Sequence, residues 1–190
     1  MRTLLVPRGH KLRGSVEGLV RGIYARQYGA EIASFPPLLL AMIARDGLPV
    51  CAAGLRFAND GFFSECYLDE PVESVLAEAT GIAADRDGIF EVSNLVTCAP
   101  ALVPRFLTHI VSFGDRAGYD WAFFTATRNL RGLLVRFGLP MVEIGAADPG
   151  RVSQLHSWGS YYETDPRILA VRQKSLATFF MARSQVAMHA

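Results

Sequence analysis

Glu91, Ser93 and Asn94 fall within ten residues, Ile89 to Cys98 (IFEVSNLVTC), whose other members are mostly apolar. A strand of that composition belongs inside a core, where an ionised, unpaired carboxylate costs several kcal/mol. Glu91 therefore needs a raised pKa or a partner, for which Arg56 is the candidate. Either state suits a general base that takes a proton from an amine nucleophile, and the alternative is a structural Glu91–Arg56 ion pair closing a sheet. Ser93 and Asn94 either bind substrate and orient a carbonyl or tie off backbone at a strand bulge. Strand alternation puts Glu91 and Ser93 on one face and Asn94 on the other unless a bulge intervenes. Arg56 can hold a carboxylate bidentately, which suits an amino-acid-like acceptor, or it can pair with Glu91 or Glu65.

Other chemistry-bearing residues are scattered. Read as a strand, Phe62 to Tyr67 (FFSECY) puts Glu65, Tyr67 and Asp69 on one face, either lining an acceptor pocket or forming a solvated edge. Thr125 and Thr127 share a face of a later strand and either contact a ligand or simply satisfy strand propensity. Arg128 and Arg131 open a helix, where they meet phosphate or solvent. Cys98 has no basic partner nearby and reads as an inert thiol. Cys51, Cys66 and Cys98 form no C-x-x-C pair, and His10, His109, His156 and His189 have no ligand spacing, so no metal is expected.

Composition narrows the class. The chain has 190 residues, 51% apolar and 19% charged, with a formal net charge of +1. That length supports one domain with one core, with residues 1–14 and 184–190 expected to be less ordered. No basic cluster interleaves with aromatics, which argues against nucleic acid. The N-terminal apolar stretch is interrupted by Pro7 and Arg8, too short for a signal sequence. The longest apolar run, Phe35 to Ile43, is well short of the ~18 residues of a membrane helix. A cytoplasmic protein is expected, with membrane association disfavoured.

The elements that must position these residues follow from periodicity and punctuation. Ser15 to Tyr28 has helical spacing, with Ser15 as N-cap and Gly29 past its end. A Pro-Pro pair makes Ala30 to Pro37 a loop. Leu38 to Arg45 and Val50 to Ala58 flank Asp46-Gly47 as a hairpin. Pro71 to Thr80 reads as a helix and Asp85 to Gly88 as a turn. Leu102 to Ala117, Trp121 to Thr127, Arg128 to Phe137 and Met141 to Ile144 then read helix, strand, helix, strand. Together with Ile89 to Cys98 they make a βαβαβ run with a partly parallel sheet. Asp148 to Leu155 is a short helix, Trp158 to Tyr162 a loop, Ile168 to Val171 a last strand and Ser175 to Arg183 a last helix.

Five segments together resemble the thermostable hemolysin family, a branch close to the GNAT acyltransferases and the acyl-homoserine-lactone synthases. They are AGLRFA (Ala53 to Ala58), ECYLDEPVE (Glu65 to Glu73), EVSNLVT (Glu91 to Thr97), FTATRNLRGLLVRFGLP (Phe124 to Pro140) and WGSYY (Trp158 to Tyr162). The resemblance spans roughly residues 20 to 170 and implies an α+β, GNAT-like three-layer fold. Its mixed sheet of about six or seven strands is flanked by helices and has two splayed central strands. In such a fold the backbone of Leu95, Val96 and Thr97 pairs with the pantetheine arm of an acyl-thioester, and Thr125 and Thr127 line the gap. The helix N-terminus near Ala101 and Leu102 faces phosphates. Tyr161 or Tyr162 protonates the departing thiolate, the alternative being packing against Trp158, which otherwise borders the acceptor. The segment CAPALVP lacks the Arg or Gln and the glycines of the usual phosphate loop, so an acyl-carrier protein stands beside coenzyme A as donor. In the lactone synthases the strand reads Glu-Ser-Arg, and Asn94 replaces that Arg.

The function expected is acyl transfer from acyl-CoA or an acyl-carrier protein to the amine of a small, amino-acid-like acceptor. The rivals are a ligand-binding module without catalysis and a membrane-active, hemolysin-like protein.

Overall fold

The computed structural model describes residues 1–176. Seven strands, β1 (Arg2–Pro7), β2 (Leu38–Ile43), β3 (Pro49–Phe57), β4 (Ile89–Thr97), β5 (Trp121–Ala126), β6 (Met141–Ala146) and β7 (Arg167–Arg172), form one sheet in the order β1-β2-β3-β4-β5-β7-β6. Among the described residues four complete α-helices cover it: α1 (Arg13–Tyr28), α2 (Val72–Thr80), α3 (Val103–Arg116) and α4 (Arg128–Arg136).

The chain begins as an antiparallel meander. The hairpin forms as expected, with Gly47 at φ 88° and the Leu48 N–H bonded to the Asp46 carboxylate. Residues 2–7, expected to be loosely ordered, instead pair along the whole of β2, from Arg2 opposite Ile43 to Pro7 opposite Leu38. Val6 is fully buried in that edge strand. α1 starts at Arg13 rather than after a Ser15 cap. The Arg13 guanidinium is buried and donates to the carbonyls of Val6, Pro36 and Pro37 and to Glu17, which fixes the helix start to β1 and to the Pro-Pro loop. Gly29 ends α1 in the left-handed conformation, as read.

The β4–α3–β5 crossover supplies the parallel pair of the expected βαβαβ run. β6 runs the same way as β5 but does not pair with it, because β7 lies antiparallel between them. α1 and α2 lie on one face, where Val16, Val20 and Ile23 pack on Leu39, Ala41 and Val96, and Val72 and Leu76 pack near Ile89 and Phe123. α3 covers the other face, with Phe106 and Ile110 against Leu55, Phe90, Val92 and Ala122.

Three readings are corrected. Phe62 to Tyr67 is no strand: Ser64–Tyr67 is a 3-10 turn, because the N–H groups of Phe63 and Ser64 bond the Glu91 carboxylate instead of a ladder. The alternation that grouped Glu65, Tyr67 and Asp69 therefore fails. Asp148 to Leu155 holds only the short turn Pro149–Arg151, capped by Asp148. Trp158 to Tyr162, read as loop, runs from the end of the 3-10 turn Leu155–Trp158 into the 3-10 turn Tyr161–Thr164. Gly159 joins them at φ 52°, where a Cβ would come 1.9 Å from the Tyr28 carbonyl oxygen. The last expected helix begins within residues 173–176 and otherwise lies outside the described residues, as do residues 184–190. Among the described residues no helix is long and apolar enough to cross a membrane.

Glu65 anchors this turn to the scaffold. Its carboxylate takes Arg86 at 2.6 and 2.7 Å and the Val72 N–H at 3.0 Å, while Arg86 also meets Glu73 and lies over the Phe62 ring. The Arg86 guanidinium holds the Glu65 carboxyl below its ordinary range. Folding therefore favours the ionised form, so this contribution is present above the unfolded pKa and is lost as pH falls through the depressed folded one. Glu65→Gln is expected to cost about 0.5–1 kcal/mol at neutral pH, the modest value of a partly exposed pair screened by solvent. In urea denaturation the gap to wild type should close on acidification; a gap independent of pH would contradict the assignment.

Candidate functional site

β4 and β5 are held together over a short stretch only. Ile89, Phe90 and Glu91 pair with Trp121, Ala122 and Phe123; beyond Glu91 the strands part, although β4 continues to Thr97 and β5 to Ala126. The splay expected of the central strands is therefore present. On its other side β4 remains paired to β3 but slips register: Ser93 faces Gly54 and Val96 faces Ala52, so Asn94 and Leu95 together oppose Ala53. Asn94 sits at φ 50°, a left-handed conformation that asparagine tolerates better than most residues. The bulge overrides alternation and brings Asn94 to the α1 face, where its side chain lies near the Tyr24 hydroxyl and accepts from the Ser93 hydroxyl at 3.3 Å. Gly54 is required opposite, since a Cβ there would lie 2.5 Å from Pro36 and 2.7 Å from the Ser93 hydroxyl.

The parted strands open a cleft of about 1170 Å³. Its α3 and α4 side is apolar, with Phe106, Ile110, Val111, Leu133 and Leu134. Its α1 side is aromatic and polar, with Tyr24, Tyr28, Phe63, Tyr67, Trp158 and Tyr161 beside Arg56, Ser93 and Asn94.

Glu91 stands where the strands divide and is 0% exposed. One carboxylate oxygen accepts from the Phe63 N–H at 2.7 Å, and the other from the Ser64 N–H at 3.0 Å and the Ser64 hydroxyl at 2.6 Å. Burial raises its pKa against the pull of these donors and of the nearby Arg56 charge. The alternative of a Glu91–Arg56 ion pair does not hold. The two face each other across β3 and β4, yet the carboxylate is taken by residues 63 and 64, and the buried Nε of Arg56 has no hydrogen-bond partner. Ser64 also reaches Thr125, hydroxyl to hydroxyl, at 2.9 Å.

The cleft brings together most of the expected residues: Arg56, Glu91, Ser93 and Asn94, then Leu95, Val96 and Thr97, then Thr125 and Thr127, with Trp158 and Tyr161. Thr127 caps α4 by accepting from the Leu130 N–H. The Thr97 hydroxyl donates to the Ala99 carbonyl oxygen. Four expected residues lie off the wall. Glu65 is committed to Arg86 and Val72, as above. Ala101 and Leu102 sit in the 3-10 turn Pro100–Leu102, where Pro100 and the following Val103 take the wall positions. Tyr162 gives its hydroxyl to a 2.6 Å bond with Tyr67. Tyr161 packs on Tyr24, Tyr28 and Trp158, and burial holds its phenol well above the usual range, so it stays protonated. Residues that sequence reasoning missed are Phe63 and Ser64, hidden by the strand reading, and Tyr24 and Tyr28, whose i,i+4 spacing on α1 was a legible signal. Among the described residues no three His, Cys, Asp or Glu side chains converge as metal ligands would.

The sequence matches a family model described as thermostable hemolysin over residues 6–176. No curated protein matches it. Among solved structures, the AHL synthase LasI superposes with a TM-score of 0.64 at 10% identity, over 90% of this chain and 89% of that one. FeeM, an N-acyl amino acid synthase from uncultured soil microbes, gives 0.59 at 12% identity, over 91% and 93%. An acetyltransferase of the GNAT family from Staphylococcus aureus gives 0.52 at 7% identity, over 90% and 99%. At such identities the likeness is one of fold, and the α+β, GNAT-like fold is the one present here.

The bulge makes a stability test available. Asn94→Val, β-branched at positive φ, is expected to lose about 1–2 kcal/mol, whereas Asn94→Gly should stay within about 1 kcal/mol of wild type. Urea midpoints decide; equal losses would mean that the left-handed backbone is not what asparagine serves here.

Proposed function

The chain belongs to the thermostable hemolysin family, and we propose that it is an acyltransferase moving an acyl group from a thioester to the amine of a small, amino-acid-like acceptor. The observation that carries this reading is the parting of β4 from β5 immediately beyond a fully buried Glu91.

Past Glu91 the edge of β4 that faces β5 has lost its ladder partner. Backbone N–H and C=O groups in that position seek partners, and the amides of a pantetheine arm supply them at Leu95 and Val96. The arm belongs to coenzyme A or to an acyl-carrier protein. The acyl chain lies on the apolar wall of α3 and α4, and the acceptor lies on the aromatic, polar side. Arg56, whose Nε is buried without a partner, is assigned the acceptor's carboxylate. FeeM's description as an N-acyl amino acid synthase supports an acceptor of that kind.

The reaction needs no covalent enzyme intermediate. The neutral amine attacks the thioester carbonyl, its proton passes toward Glu91, the C–N bond forms and the C–S bond breaks. The thiolate takes a proton from a phenol, that of buried Tyr161 or half-buried Tyr28, each kept protonated by partial or full desolvation. Positioning and proton removal supply the rate.

Two outcomes are expected when purified protein is given acetyl-, octanoyl- or palmitoyl-CoA, or the same acyl groups on acyl-carrier protein, with glycine, glutamate, homoserine or glycinamide. Thiol is released, and Glu91→Gln reduces the rate by about 10²-fold or more. Because burial raises the Glu91 pKa and only the ionised form accepts a proton, the rate should climb with pH through a limb above the ordinary carboxylate range. That limb should vanish in Glu91→Gln. Absence of thiol release from every thioester, or a fully active Glu91→Gln, sinks the assignment. Arg56→Met should raise KM for glycine and glutamate and leave KM for glycinamide nearly unchanged; a uniform rise would remove Arg56 from carboxylate recognition.

A further inference from the structure

Glu91 cannot meet an acceptor directly. It is 0% exposed, and both carboxylate oxygens are occupied by the Phe63 and Ser64 N–H groups and the Ser64 hydroxyl. We infer that Thr125 and Ser64 form a two-hydroxyl proton path from the cleft to Glu91, with Thr125 as the group that receives the amine proton. This rests on the acyl-transfer reading and names the residue that reading lacks.

Counting protons fixes the direction of the path. An ionised carboxylate only accepts, so Ser64 donates across the 2.6 Å contact. A serine hydroxyl has one proton, so the 2.9 Å contact between Ser64 and Thr125 must be donated by Thr125. With its proton committed inward, the Thr125 oxygen presents lone pairs outward. It stands on the cleft wall, half-buried, two residues beyond Phe123 on the part of β5 that has left β4. Alternation places it on the same face as Phe123, the residue paired with Glu91.

As the C–N bond forms, the amine gives its proton to Thr125, Thr125 gives its own to Ser64, and Ser64 gives its own to Glu91. The C–S electron pair leaves with sulfur, which is protonated by the phenol. After the products leave, the Glu91 proton returns through Ser64 and Thr125 to solvent in the cleft, and solvent restores the phenol. Net change is one amide and one thiol from one amine and one thioester.

The backbone of Ser64 holds Glu91 independently of its hydroxyl, so Ser64→Ala breaks the path and keeps two of the three donors to the carboxylate. Thr125→Val removes the other hydroxyl at nearly constant shape. In acylation of glycine from whichever CoA thioester wild type uses best, each is expected to lower kcat by about 10²-fold with little change in the thioester KM. Thr125→Ser should recover kcat to within about tenfold of wild type, and Thr125→Ala should not. The solvent deuterium inventory on kcat should curve in wild type, where several protons move together, and become linear in Ser64→Ala. Thermal melts identify any variant that fails to fold, and either hydroxyl deletion alone suffices for the test. A folded Thr125→Val or Ser64→Ala with wild-type kcat overturns the path while leaving acyl transfer intact. A wild type that releases no thiol overturns both.

Discussion

The constraint on which the rest depends is the burial of one carboxylate at the point where a sheet divides. With no water around it, Glu91 must be satisfied by protein, and the nearest backbone able to do so is that of Phe63 and Ser64. The connection from β3 to α2 is therefore drawn across the sheet face as a 3-10 turn instead of adding a strand. This turn then brings Ser64 to Thr125, Tyr67 to Tyr162 and Phe63 to Trp158. One polar group thus organises the aromatic side of the cleft. The Glu65–Arg86–Glu73 cluster holds the same turn from outside, with Arg86 stacked on Phe62.

The bulge at Asn94 performs a second task at little energetic cost. A regular β4 would alternate, sending Ser93 toward α1 and Asn94 toward α3. The inserted residue puts both polar side chains on the α1 side and leaves Leu95 among the apolar groups under α3. Polar and apolar halves of the cleft are thereby segregated by the sheet itself. Gly54 supports this by leaving room for the Ser93 hydroxyl beneath Pro36.

Much of this was legible in the residues. Helices α1 to α4, the hairpin around Gly47 and strands β4, β5 and β7 follow from periodicity and glycine punctuation, and a polar triplet in an apolar strand marked the site. What was not legible depends on long-range pairing. Nothing local to Phe62–Tyr67 says that its N–H groups serve a carboxylate 28 and 27 residues away, so strand propensity prevailed on paper. Similarly, the need of a buried Glu91 for a partner suggests an ion pair with Arg56, because the competing donors belong to a segment that reads as a strand. β1 escaped notice since its single fully buried side chain, Val6, gives a short edge strand little pattern to read.

The same geometry limits where chemistry can occur. A paired sheet is a barrier: its two faces share no space where the backbone ladder is intact. Here the ladder between β4 and β5 ends at Glu91 and Phe123, so a group lying on the apolar α3 side can meet one on the polar α1 side only above that pair. In the proposed reaction, a thioester along β4 and an amine near Arg56 would converge at the apex of the parting. Thr125 is the first residue of β5 beyond that apex to point toward the Glu91 face. A carboxylate exposed at the apex would draw water into a mostly apolar cleft and would reorient as the charge moved. Sunk behind two hydroxyls and fixed by two N–H groups, it keeps its orientation, which is the arrangement that preorganised electrostatics favours.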